Sequence, residues 1–188
     1  MRYKRSRLHG AKGIAFDGKR FKVLVQKVML PDGRQMHKEL IIAPSVAVIL
    51  PISNGKLVLI RQYRPVLGVW MYEIPAGIIN IHETPLQAAK RELEEETGYK
   101  SKSIKKMLEC FSSPGISNEH AYIYIAECGK KGAQHLDEHE NIKVLEATSS
   151  DVTKMLKNGL IKNAISALAI SIYLNSTLQL VPDKLAVR

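Results

Sequence analysis

Apolar and polar positions alternate from Phe21 to Met29, break at Pro31-Asp32-Gly33 and resume from Arg34 to Ile42, which predicts a β-hairpin. Ser45–Leu50 and Lys56–Gln62 are two further apolar runs joined across Ser53-Asn54-Gly55, a strong hairpin signal. Ile104–Phe111 and Ala121–Ala126 read as strands flanking a Ser-Pro-Gly loop, and Ile142–Ala147 as another strand. The period becomes helical over Pro85–Thr97, Asp151–Asn158 and Asn163–Ser176. Strands, a helix, more strands and two closing helices predict an α/β protein with a mixed sheet covered by helices on its faces. The first helix is the best specified. Thr84 caps its start, Pro85 suits the first helical position, Gln87 completes a capping box and Gly98 is the left-handed stop. Leu86, Ala89 and Leu93 form its expected apolar stripe.

Composition narrows the class. The chain has 188 residues, 45% hydrophobic and 24% charged, which fits one globular domain with at most a small appended element and excludes wholesale disorder. Cys110 and Cys128 lack CxxC spacing and read as reduced thiols in strands. The apolar run Ala164–Leu174 is too short to span a membrane and fits a buried helix. No apolar stretch follows the basic N-terminus as in a secretory signal, so a cytoplasmic location is expected. Of the net charge of +10, residues 1–40 carry +8. Arg2, Lys4, Arg5 and Arg7 would suit a nucleic-acid arm, a positive rim would draw an anionic small substrate, and a solvated hairpin is the plain alternative. No aromatic RNA-binding motif or GXXG clamp supports the first.

Glu92, Glu94, Glu95 and Glu96 crowd the end of the first helix. Like charges at i,i+3 and i,i+4 repel, and carboxylates face the negative end of the helix dipole. A cation reverses the sign. Glu92 and Glu96 lie one turn apart with Glu95 adjacent, and hard oxygen ligands suit Mg²⁺; the alternative is a solvated acidic face.

The surrounding spacing decides between them. Gly77, Glu83, Arg91, Glu92, Leu93, Glu95, Glu96, Gly98 and Tyr99 meet every fixed position of G-x5-E-x7-R-E-U-x-E-E-x-G-U, so the segment resembles the Nudix box. The resemblance implies a pyrophosphohydrolase of X-linked nucleoside diphosphates on a Nudix-type α/β/α sandwich with a mixed central sheet. By the same resemblance Glu92, Glu95 and Glu96, with the Ala76 carbonyl, hold divalent ions, Mg²⁺ with Mn²⁺ as a substitute. Glu83 and Arg91 pair to fix the loop–helix–loop, and Gly77 lets the backbone approach the metal site. The chemistry suits this equipment, because metal ions neutralise a diphosphate and acidify water, leaving a carboxylate to take the proton.

Further pieces resemble the ADP-ribose and nucleoside-diphosphate-sugar pyrophosphatase branch: Tyr72-Glu73-Ile74-Pro75-Ala76-Gly77, Arg61-Gln62-Tyr63-Arg64, and Ser113-Pro114-Gly115, with Pro114 sixteen residues after Gly98. Arg64 is the expected phosphate clamp, since guanidinium suits bidentate phosphate contacts. Glu73 either contacts the substrate base or caps a strand. Glu119 is either a supporting acid or a solvated loop residue. His135 and His139 have HxxxH spacing, but their segment reads as a loop between Gly132 and the strand at Ile142, which argues against zinc. In the resembling branch a mobile acidic loop supplies the base here; Glu138 aligns with that role, Glu140 is the reserve, and Glu95 is a further candidate.

The resemblance divides the chain into a basic arm and dimerising hairpin, 1–42, and a hydrolase domain, 43–188. It implies a homodimer whose hairpin completes the partner's nucleotide pocket, with Tyr3, Phe16, Phe21 or Arg34 stacking on the base, although Phe21 reads first as core. The expected reaction splits ADP-ribose into AMP and ribose 5-phosphate. GDP-mannose, UDP-glucose or another nucleoside diphosphate sugar are alternatives within that chemistry, and an RNA-directed protein, decapping or RNA-binding, is the alternative outside it. No membrane partner is expected.

Overall fold

The computed structural model describes residues 13–176, which form two compact units: 13–45 with 110–121, and 46–109 with 122–176. The first unit contains β1 (Ile14–Asp17), β2 (Lys22–Met29) and β3 (Gln35–Ile42), paired antiparallel in that order, with Met29 opposite Gln35 across the Pro31-Asp32-Gly33 turn. This unit runs three residues past the expected boundary at 42 and takes in the Ser113-Pro114-Gly115 loop. The reason is hydrogen bonding to that loop: the Ile41 amide donates to the Ile116 carbonyl at 2.8 Å, and the Asn118 side-chain Oδ1 accepts from the Ala43 amide at 2.9 Å. Phe21 is not core. It is 42% exposed and its ring lies 5.5 Å from that of Phe16.

The strands of the second unit are β4 (Val46–Ser53), β5 (Lys56–Arg64), β6 (Val69–Glu73), β7 (Ala76–Ile78), β8 (Tyr99–Phe111), β9 (His120–Lys131) and β10 (Ile142–Ala147), the last residues of β8 and first of β9 belonging to the other unit. They make a mixed seven-stranded sheet in the order β10-β5-β4-β9-β8, with β6 on β5 and β7 on β4. Leu57, Val58, Leu59 and Ile60 are all buried, so both faces of β5 are covered. On one face α1 (Pro85–Thr97) packs Ala88, Ala89 and Leu93 against Ala47, Ile49 and Val58. α2 (Ser149–Lys157) lies against β5 and β10 and touches α3 (Ala164–Asn175).

The capping of α1 has the expected form: Thr84 accepts from the Gln87 amide, the Gln87 side chain accepts from the Thr84 amide, and Gly98 sits at φ 76°. Its buried stripe differs by one residue, with Ala88 inward and Leu86 39% exposed, because small side chains let the helix lie close on β4. Three strands were not expected, β1, β6 and β7. β8 and β9 are also longer than their apolar runs. No helix among the described residues is long and apolar enough to cross a membrane.

Candidate active site

The end of α1 gathers its charge around one guanidinium. Arg91 Nε and Nη2 donate to Glu83 at 2.9 and 3.1 Å, Nη1 donates to Glu92 at 2.6 Å and to Glu95 at 2.8 Å, and Nη2 also reaches the Ile78 carbonyl at 2.9 Å. One side chain therefore ties the loop before the helix, the helix and β7 together. The repulsion foreseen among the carboxylates is partly offset from within the box. The Glu83 carboxyl is held below its ordinary range by this contact.

Glu92 and Glu96 keep an unrelieved burden. Burial pushes the Glu92 carboxyl up to about 7, with Arg91 only partly opposing it. Glu96 is 2% exposed; burial first, and then the charge of Glu92, carry its carboxyl well above the ordinary range. Its Oε2 accepts from the Ala76 amide at 3.0 Å, so Ala76 meets the carboxylates through its N–H. A Cβ on Gly77 would stand 2.0 Å from Glu92 Oε1, so any larger residue here would push this carboxylate aside.

A hard divalent cation suits this donor set: two desolvated carboxylates and the partly exposed Glu95 are oxygen ligands short of positive charge. Among the described residues, no three His, Cys, Asp or Glu side chains are drawn together as a ready metal-holding group. Glu92 and Glu95 are instead turned onto Arg91 and Glu96 onto the Ala76 amide.

Beside this cluster Arg64 grips Glu73 in a two-pronged ion pair, Nε to Oε1 at 2.9 Å and Nη2 to Oε2 at 2.6 Å. Glu73 ends β6, is 2% exposed and has both carboxylate oxygens committed to Arg64. The charge of Glu96 also acts on Arg64. Residues 132–141 form a loop, not a metal-binding helix turn, and this loop is fastened to the end of α1. The Gly132 amide donates to the Gly98 carbonyl at 2.7 Å, the His135 amide to the Glu95 carbonyl at 2.9 Å and Gln134 Nε2 to the Glu96 carbonyl at 2.6 Å. These bonds satisfy carbonyls that a helix end leaves free.

Of the two acidic candidates on this loop, Glu140 is the one whose charge acts on Arg64, Glu92 and Glu96. It is half-buried and accepts from the Asp137 amide at 3.1 Å, whereas Glu138 is exposed. Glu140, the reserve candidate from the sequence, is thus the one whose charge reaches the box, while Glu138 is exposed. Sequence reasoning also missed Asn163, whose Nδ2 donates to Glu73 at 3.2 Å, and Gln134. The helix-capping position of Asn163 was readable; its partner ninety residues away was not.

Pro114, Gly115 and Glu119 belong to the first unit. Pro114 and Gly115 line a cleft of about 740 Å³ with Phe21, Arg20, Lys22 and Lys38, while the backbone of Glu119 closes their loop by accepting from the Ser112 amide. Arg34 is turned onto Asp32 in its own hairpin turn and Tyr3 lies outside the described residues, which leaves Phe21 as the expected stacking residue that lines this cleft.

Comparison with known proteins follows the same lines. The NUDIX domain profile matches residues 42–162. The chain is 34% identical over 163 residues to an ADP-ribose pyrophosphatase of Bacillus subtilis (strain 168), covering 85% of this chain and 88% of the relative. It is 33% identical over 158 residues to a methanol dehydrogenase activator of Bacillus methanolicus, covering 82% and 85%. A crystal structure of an ADP compounds hydrolase superposes with a TM-score of 0.74 at 20% identity, covering 88% and 89% of the two chains, a likeness of fold.

Proposed function

The chain belongs to the NUDIX family and is a hydrolase of a pyrophosphate bond, and from that premise we propose that it splits ADP-ribose into AMP and ribose 5-phosphate with Mg²⁺, Mn²⁺ being able to substitute. The observation that carries the reading is the pair of buried carboxylates, Glu92 and Glu96, held in the box with too little positive charge around them. Relatives of similar length named ADP-ribose pyrophosphatase support the choice of substrate.

In this reading Glu92, Glu95 and Glu96, with the Ala76 carbonyl, would hold the cation, which would supply charge neutralisation at the diphosphate and acidify water beside it. Arg91 holds the carboxylates in place and Arg64 meets a phosphate oxygen with the edge it does not give to Glu73. Glu140 takes the proton from the attacking water, with Glu138 as its comparison. In the first unit, the cleft with Phe21, Arg20, Pro114 and Gly115 offers an apolar wall beside cations, which suits a nucleotide. The exposed Ile14, Phe16, Val25 and Met29 of β1 and β2 suit burial against a second copy of the chain.

The test is a panel of ADP-ribose, GDP-mannose, UDP-glucose, diadenosine polyphosphates and capped RNA with Mg²⁺, products identified by chromatography. ADP-ribose should be turned over fastest, yielding AMP, and Glu96→Gln should cut the rate by orders of magnitude while the circular dichroism spectrum persists. Preferred cleavage of another member, or near-normal turnover by Glu96→Gln, overturns the reading. Light scattering should give a dimer; an active monomer would remove the second copy.

A further inference from the structure

We propose that Asn163, at the start of α3, is a positioning residue for substrate binding, acting on Arg64 through Glu73; this rests on the reading of Arg64 as a phosphate contact. Three bonds carry the inference. Asn163 Oδ1 accepts from the Ser166 amide at 2.9 Å, the ordinary helix cap, and this fixes the amide so that Nδ2 faces Glu73 Oε2 at 3.2 Å. Ser166 Oγ in turn accepts from the Ile74 amide at 3.2 Å. Two consecutive residues of the strand end, Glu73 and Ile74, are thus fastened to the first turn of one helix.

The consequence is set by the acceptor capacity of a carboxylate. Glu73 Oε1 takes Arg64 Nε, and Oε2 is shared by Arg64 Nη2 and Asn163 Nδ2. With both oxygens held, the buried carboxylate cannot rotate, and the guanidinium it grips is fixed in plane. Its Nη1 edge is the one left uncommitted among the described residues. Asn163 touches no reacting atom. It sets the direction of that edge, and a guanidinium held in advance binds an anion with less ordering cost.

The role separates from that of a cap. Asn163→Ser keeps an oxygen for the Ser166 amide but is too short to donate to Glu73. Asn163→Asp keeps the cap and sets a carboxylate against Glu73. For the diphosphate that the wild type hydrolyses best, KM should rise roughly 3-fold in Asn163→Ser, with kcat and the melting temperature little changed, and roughly 10-fold or more in Asn163→Asp, where the added like charge also lowers the melting temperature. Arg64→Ala should raise KM by itself, and Asn163→Ser added to it should raise KM no further. Wild-type KM in both Asn163 variants, a fall in kcat that tracks lost stability, or KM effects that multiply in the double variant each overturn the proposal. If Arg64→Ala raises KM while the Asn163 variants do not, the reading of Arg64 stands and only this inference falls. If Arg64→Ala leaves KM unchanged, both fall.

Discussion

Arg91 and Arg64 each bind carboxylates in the second unit, yet they are held in opposite ways. Arg91 draws on its own neighbourhood: Glu83, Glu92, Glu95 and the Ile78 carbonyl all lie within thirteen residues of it. Arg64 has one carboxylate partner, Glu73 on the next strand, and that partner is steadied by Asn163 from ninety residues away. The first arrangement consumes the guanidinium and builds the box; the second leaves one edge of the guanidinium unused. A fully committed arginine is structural, and a partly committed one is available to a ligand.

The sharpest way to break this contrast is Arg91→Met. It removes the positive partner of Glu92, which is nearly buried, and of Glu83. Urea unfolding should show a loss of about 3 kcal/mol or more, as for a broken buried ion pair, together with loss of turnover. Wild-type stability would mean the box holds without its arginine. Next in size is Glu140, the group whose charge is felt at both arginine regions, since it acts on Arg64 as well as on Glu92 and Glu96. Glu140→Gln should lower kcat by about 10²- to 10⁴-fold, the range for loss of a general base, with KM little changed. Glu138→Gln should lose far less; the opposite order would return the role to Glu138.

The same contrast explains what was legible in the sequence. α1 could be read to the residue because Thr84, Pro85, Gln87 and Gly98 act locally, and the Glu83–Arg91 pair lies within the motif's own spacing. β10 and the Ser53-Asn54-Gly55 hairpin were readable for the same reason. β6 and β7 were not, since five and three residues beside Pro75 and Gly77 carry too little pattern. Lys100, Lys102, Lys105 and Lys106 hid the start and length of β8. The Arg64–Glu73–Asn163 chain was invisible because it depends on which strand end the third helix reaches.

A third prediction concerns pH. The unfolded Glu92 carboxyl titrates near 4.5, and the folded one near 7. Between those values the folded state holds more proton than the unfolded state, so stability falls as pH rises from about 4.5 to about 7. The loss from Glu92 amounts to about 3 kcal/mol at full effect. Urea unfolding in chelator should show it, Glu92→Gln should reduce it and leave the part due to Glu96, and millimolar Mg²⁺ should restore stability above pH 7. Glu83, held low by Arg91, contributes the reverse slope below its ordinary range, which is where the two regions of the box part. A pH profile identical in wild type and Glu92→Gln would remove Glu92 from the strained set.

The smallest effect sought is at Gln134, which fastens the loop carrying Glu140 to the helix carrying Glu96. Its Nε2 donates to the Glu96 carbonyl, one of the carbonyls a helix end leaves unpaired, while neighbouring loop amides serve Glu95 and Gly98. Gln134→Ala removes one side-chain bond and leaves the two backbone bonds. The expected cost is about 1 kcal/mol of stability, the net worth of one hydrogen bond. The effect on rate follows from position: a loop with one fewer tie holds Glu140 less closely, so kcat should fall by less than about tenfold with KM unchanged. Asn163→Ser should do the converse, moving KM and sparing kcat. If Gln134→Ala moves KM instead, the loop reports on substrate binding and not on the base, and the division of labour between the two regions is drawn in the wrong place.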